Sequence, residues 1–80
     1  ELTTSEYEIL RVLSLNAGRV SDYESLLRQV SGKQEDRDAR NALRTLVRGL
    51  RWKLGDSATN SRYILTERRV GYRMPRPGAP

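Results

Sequence analysis

Apolar positions fall into three stretches with helical spacing, followed by two short extended ones. In the first stretch Ile9, Leu10, Leu13 and Ala17 recur at the spacing of one helix face. Thr3 and Glu6 stand before it as a Thr-x-x-Glu capping box, in which the threonine caps the first-turn amides and the glutamate reaches back to the Thr3 amide. The spacing predicts a helix to about Asn16, stopped by Gly18. Gly18-Arg19-Val20 reads as a short link, with Val20 a candidate single extended step. Ser21-Asp22-Tyr23-Glu24 reads as a second capping box, with Ser21 as the cap and a helix to about Val30 that turns Tyr23, Leu26, Leu27 and Val30 inward. A polar loop follows over 32–38. The third helix is expected over about Asp38 to Leu54, where Leu43, Val47, Leu50 and Leu54 make one narrow apolar stripe. Arg62–Thr66 and Gly71–Met74 then read as two strands, rich in β-branched and aromatic residues, with 67–70 at the tip. Tyr72 and Met74 are expected to cover one side of the core. The pattern predicts an α+β fold of three helices and a C-terminal hairpin over 1–74, with 75–80 as a Pro/Gly-rich tail.

The other face of the third helix changes the picture. With Leu43 at zero on a helical wheel, the apolar stripe lies within about 40°, while Arg40, Arg51, Arg44 and Arg48 fall at about 60°, 80°, 100° and 140°. Arg37 begins the same stripe, and Asp38 is the one acid between it and Gly55. An ordinary amphipathic helix alternates Glu with Lys to gain i,i+4 pairs. This one instead accepts like-charge repulsion, which a polyanion would relieve. The arginine fork is suited to phosphate oxygens and to the guanine edge. A solvated basic face without a partner would have the same composition. The hairpin tip repeats the signal: Arg68 and Arg69 sit at the turn, and Arg73 follows on the second strand. An arginine on a projecting loop can enter a narrow minor groove.

Net charge sharpens the asymmetry. The chain carries +5 in all, but residues 1–36 sum to −3 and residues 37–80 to +8, an asymmetry that suggests one polyanion-facing surface and that a solvated basic face would share. Its 80 residues are enough for one small domain. Cysteine and histidine are both absent, which excludes disulfides and thiolate or imidazole metal sites and removes the usual general base. No enzyme activity, cofactor or metal is expected. No apolar run reaches the roughly 20 residues of a membrane-spanning helix.

The ordered set of local motifs resembles the OmpR/PhoB-type effector domain of two-component response regulators. Its pieces are Leu2-Thr3 with Glu6, Gly18-Arg19-Val20-Ser21, Leu26-Leu27, Val30 with Gly32, Leu50-Arg51 with Lys53-Leu54, and the closing Thr66-x-Arg68-x-x-Gly71-Tyr72-Arg73. The resemblance implies a winged helix-turn-helix that binds duplex DNA to regulate transcription. The third helix would lie in the major groove and the hairpin would be the wing, with Arg68 in the minor groove and Thr66 on a phosphate. Arg48 and Arg51 match basic positions of the family's recognition helix. With Asn41, where the family has an arginine, and Thr45, they complete the candidate DNA-contacting set of Arg37, Arg40, Asn41, Arg44, Thr45, Arg48, Arg51, Thr66, Arg68, Arg69 and Arg73.

The resemblance further implies contact with RNA polymerase through the 31–38 loop, a receiver domain in the full-length protein, a homodimer on DNA, and a cytoplasmic, nucleoid-associated bacterial location. Several residues depart from the family pattern. Ser31 stands for a tryptophan, Arg44 for an aspartate, Gly49 for an arginine and Arg69 for the turn glycine of the wing. Trp52, about 180° from the core stripe, stands for a basic residue and is expected to be exposed. The family's leading four-stranded sheet and receiver domain have no counterpart here, and the chain opens at Glu1, so a fragment of a longer protein is expected. A winged-helix protein-interaction module, anchored through Trp52, is the alternative function.

Overall fold

The computed structural model describes residues 1–31, 37–57, 59 and 61–76. Helix α1 spans Thr4–Leu15, strand β1 Ser21–Asp22, α2 Tyr23–Ser31, α3 Arg37–Leu54, β2 Leu65–Glu67 and β3 Gly71–Arg73. The three strands form one antiparallel sheet in the order β1-β3-β2. The fold is thus a winged helix: three mutually packed helices and a hairpin whose second strand also pairs with β1.

Local chemistry starts each helix. The capping box of α1 is complete: the Glu6 amide donates to Thr3 Oγ1 at 3.1 Å and the Thr3 amide to Glu6 Oε1 at 2.9 Å. Glu6 does more than cap. It is buried, and its Oε1 also accepts from Lys53 Nζ at 2.7 Å, which ties the start of α1 to the end of α3. Gly49 makes room for this carboxylate, since a Cβ there would lie 2.9 Å from Glu6 Oε2. The Lys53 bond, helped by the Thr3 amide, holds the Glu6 carboxyl below its usual range against the opposing effect of burial.

The second cap differs from expectation. Asp22, not Ser21, caps α2, with the Ser25 amide donating to Asp22 Oδ1 at 2.8 Å. Ser21 is buried in β1 opposite Tyr72, and Glu24 pairs outward with Arg28 at 2.6 Å. The extended step therefore falls one residue after Val20, which is exposed. The cause lies far away in sequence, because the ladder to β3 claims Ser21.

The core is a single cluster: Ile9, Val12 and Leu13 from α1, Tyr23, Leu26 and Leu27 from α2, Leu43, Val47 and Leu50 from α3, then Ile64 and Tyr72 from the hairpin. Leu54 and Met74 pack on its edge. Burying an aliphatic side chain of this size contributes about 1.5–3 kcal/mol, so this cluster holds the helices together. Ile64, fully buried, had no periodic signature in the sequence.

Nor is the segment before β2 a strand, as the sequence suggested. The Asp56 carboxylate accepts from the Arg62 amide at 2.7 Å, the Tyr63 amide at 3.2 Å and the Ile64 amide at 3.0 Å. Those amides, spent on a side chain, make an arch and delay β2 to Leu65. Burial opposes ionisation of Asp56, but the surrounding backbone donors outweigh it and hold its pKa below the usual carboxylate range. Because the pKa values of Glu6 and Asp56 are depressed by folding, the stability they contribute is full above about pH 5 and is lost as pH falls through the lowered values.

At the wing tip the Val70 amide donates to the Glu67 carbonyl at 3.0 Å, closing a turn through Arg68 and Arg69. Arg69 has φ 65°, a conformation ordinarily left to glycine or asparagine at this turn position. Relief of that strain, about 1–2 kcal/mol, exceeds the extra chain entropy of glycine, about 0.5–1 kcal/mol. Arg69→Gly is therefore expected to raise stability by about 0.5 kcal/mol, or about 3 °C in melting temperature. A thermal melt showing lower stability would contradict this reading of the turn.

Candidate nucleic-acid interface

Helix α3 and the wing enclose an open groove of about 890 Å³. Its lining includes Arg40, Arg44 and Arg48 from one face of α3, Arg51 beside them, and Thr66, Arg68 and Arg69 from the wing. Seven of the eleven residues singled out in the sequence thus share one concave surface. The 3.6-residue repeat makes the stripe on α3, and the pairing of Thr66 with Tyr72 sets the hairpin across it.

The remaining four lie outside that lining. Arg37 is exposed on the first turn of α3. Asn41 accepts from Arg44 Nη1 at 3.1 Å and so orients that guanidinium, while Thr45 Oγ1 bonds back to the Asn41 carbonyl at 3.1 Å. Arg73 follows Tyr72 on β3, and alternation along a strand turns it to the opposite face of the hairpin. There its Nε meets Glu67 Oε2 at 2.6 Å.

Arg51 is the best-anchored cation of the groove. Its Nε and Nη2 donate to the Ile64 carbonyl at 3.2 and 2.8 Å, and Nη2 also donates to Thr66 Oγ1 at 2.7 Å. Its guanidinium carbon stands 5.8 Å from the Tyr72 ring centre. Tyr72 in turn packs edge-on against Tyr23, with centroids 5.9 Å apart. Burial keeps the Tyr72 phenol above its usual pKa, so it stays neutral. Arg51 therefore locks the wing to α3. Accepting from Arg51 leaves the Thr66 hydroxyl proton free to donate to an anion in the groove.

Among the lining residues Asp56 is the one acid, and its carboxylate is already occupied by the arch amides. Six arginines against that one carboxylate leave the lining strongly cationic, as an anion would require. Asp56, Tyr23 and Tyr72 were not among the candidate site residues. An aspartate directly after the helix-ending Gly55 was the available signal for a loop clamp. Trp52, as expected from the wheel, is 81% exposed, and it stands on the groove wall. Of the 31–38 loop, residues 32–36 lie outside the described residues, as do 77–80 of the tail. No described helix is long and apolar enough to cross a membrane.

Comparison with known proteins agrees with this geometry. The chain is 36% identical to the regulatory protein VanR of Enterococcus faecium over 73 residues, which are 91% of the chain but only 32% of VanR. The DNA-binding domain of Klebsiella pneumoniae RstA, solved in complex with the RstA box, superposes with a TM-score of 0.86 at 31% identity, covering 94% of this chain and 73% of that one. The DNA-binding domain of CpxR from E. coli gives 0.80 at 32% identity, covering 92% and 72%. The response regulator DrrB of Thermotoga maritima, an OmpR/PhoB homologue, gives 0.79 at 32% identity, covering 94% of this chain and 33% of that one. Residues 1–74 match the model of the family described as "Transcriptional regulatory protein, C terminal", and the chain belongs to that family.

Proposed function

We propose that residues 1–74 bind duplex DNA sequence-specifically and form the output domain of a two-component response regulator. The supporting observation is the groove itself: six arginines from α3 and the wing converge on one concave surface whose single acid is internally occupied. In this reading α3 lies in the major groove. Arg40, Arg44 and Arg48 meet base edges and phosphates, Thr66 donates to a phosphate, Arg68 enters the adjoining minor groove and Arg69 meets the backbone. No reaction is involved. In the full-length protein a receiver domain would control this activity in the cytoplasm, at the nucleoid. The domain would bind as a homodimer, and the 31–38 loop would meet RNA polymerase.

The test compares arginines on and off the groove. Arg11 and Arg28 are paired at the surfaces of α1 and α2, with Glu8 at 3.0 Å and Glu24 at 2.6 Å. Each of Arg44→Ala and Arg48→Ala should weaken duplex binding by about 1–3 kcal/mol, whereas Arg11→Ala and Arg28→Ala should change it little. Equal losses at all four positions, measured by titration of a labelled duplex, would place the binding surface elsewhere.

A further inference from the structure

Resting on the DNA-binding reading, we infer that Trp52 is itself a DNA contact: its indole face packs on a deoxyribose of the backbone beside α3, and its Nε1–H donates to the adjoining phosphate. Three observations carry this. Trp52 is the most exposed of the large apolar side chains, and it stands on the groove wall one helical turn beyond Arg48. The cations nearest it in sequence are turned inward. Arg51 is bonded to Ile64 and Thr66, and Lys53 reaches Glu6 at 2.7 Å. On the last turn of α3 Arg51 also lines the groove but is held by the wing, and the indole beside it is the exposed side chain. Finally, the other aromatic rings of the lining, Tyr23 and Tyr72, are buried, so Trp52 is a single apolar surface set among guanidinium groups.

A partner for such a wall must be anionic and must offer small apolar faces between its charges. An apolar protein surface would strip water from the arginines without compensating their charge. The sugar–phosphate backbone meets both requirements, with charge at the phosphates and carbon at the sugars. Tryptophan's single N–H donor then supplies a phosphate contact that carries no charge.

The chain's one tryptophan makes the test direct. A labelled mixed-sequence duplex is titrated with the domain at about 50 mM salt, and binding is followed by anisotropy of the label. Trp52 emission and its quenching by acrylamide, a neutral quencher, are read on the same samples. The expected result is a blue shift and reduced quenching that saturate together with binding. Trp52→Ala should weaken binding about tenfold, the size of a modest interface hot spot, and leave the salt slope unchanged. Trp52→Arg should steepen that slope by about one unit, since it places a charge against phosphate. Binding with unchanged quenching, or full affinity in Trp52→Ala, overturns the inference and leaves the DNA-binding reading intact. So does protection of Trp52 that grows with protein concentration in the absence of DNA, which would mark a contact between proteins. No rise in anisotropy overturns the DNA-binding reading and this inference with it.

Discussion

Gly71→Ala is expected to destabilise the domain by about 3 kcal/mol, lowering its melting temperature by about 12 °C or more. A Cβ at residue 71 would lie 2.0 Å from the Ser21 carbonyl oxygen, 2.7 Å from Asp22 Cα and 2.8 Å from the Ser21 carbonyl carbon. All three are backbone atoms, so no side chain can swing away. Relief requires β3 to move off β1, which also strains the bond from the Tyr23 amide to the Val70 carbonyl at 3.1 Å and exposes Tyr72. The glycine is needed here for close approach of two chains rather than for a left-handed φ. Urea denaturation would check the loss, and a change within about 0.5 kcal/mol, typical of a harmless surface substitution, would contradict the packing described.

The second large effect is expected at Arg51. Arg51→Ala removes the forked bond to the Ile64 carbonyl and the bond to Thr66, and leaves that carbonyl short of its donor inside the hinge between α3 and wing. The expected loss is about 2 kcal/mol of stability, because each charged hydrogen bond is worth more than a neutral one but the site is only partly buried. Arg51→Lys should recover less than half, since an ammonium cannot reproduce the fork. Duplex binding should fall in both variants because Thr66 and Arg68 lose their fixed place relative to α3. If Arg51 served only as a phosphate contact, binding would weaken while the unfolding midpoint stayed at the parent value. Measuring the two together separates the roles.

What the sequence made legible follows the range of each interaction. The Thr3–Glu6 box and the stripe of Leu43, Val47 and Leu50 depend on residues three or four apart, and both are found as expected. The arginine face of α3 follows from the same repeat, which is why Arg40, Arg44 and Arg48 arrive together in the groove. Features decided by distant partners were hidden. Whether Ser21 or Asp22 caps α2 depends on a ladder to Tyr72. The delay of β2 depends on Asp56 reaching forward to three amides. Arg51, at about 80° on the wheel, lies between the apolar and basic stripes, and only the position of the hairpin turns it toward Ile64. Arg73 joined the candidate set because of its charge, but strand alternation carries it to the far face with Glu67. Gly71 stood in the closing motif, yet its reason is visible only once β1 is seen beside β3.

The central claim is that the basic half of the chain exists to neutralise the phosphates of a duplex, and salt dependence tests it most directly. Residues 37–80 carry +8, and the groove gathers six of their arginines. Binding that neutralises several phosphates releases their condensed counterions, so affinity for a duplex should fall by about 10² or more between 50 and 200 mM salt, linearly in logarithmic coordinates. A flat salt dependence, or no binding at the lower salt, would contradict the account.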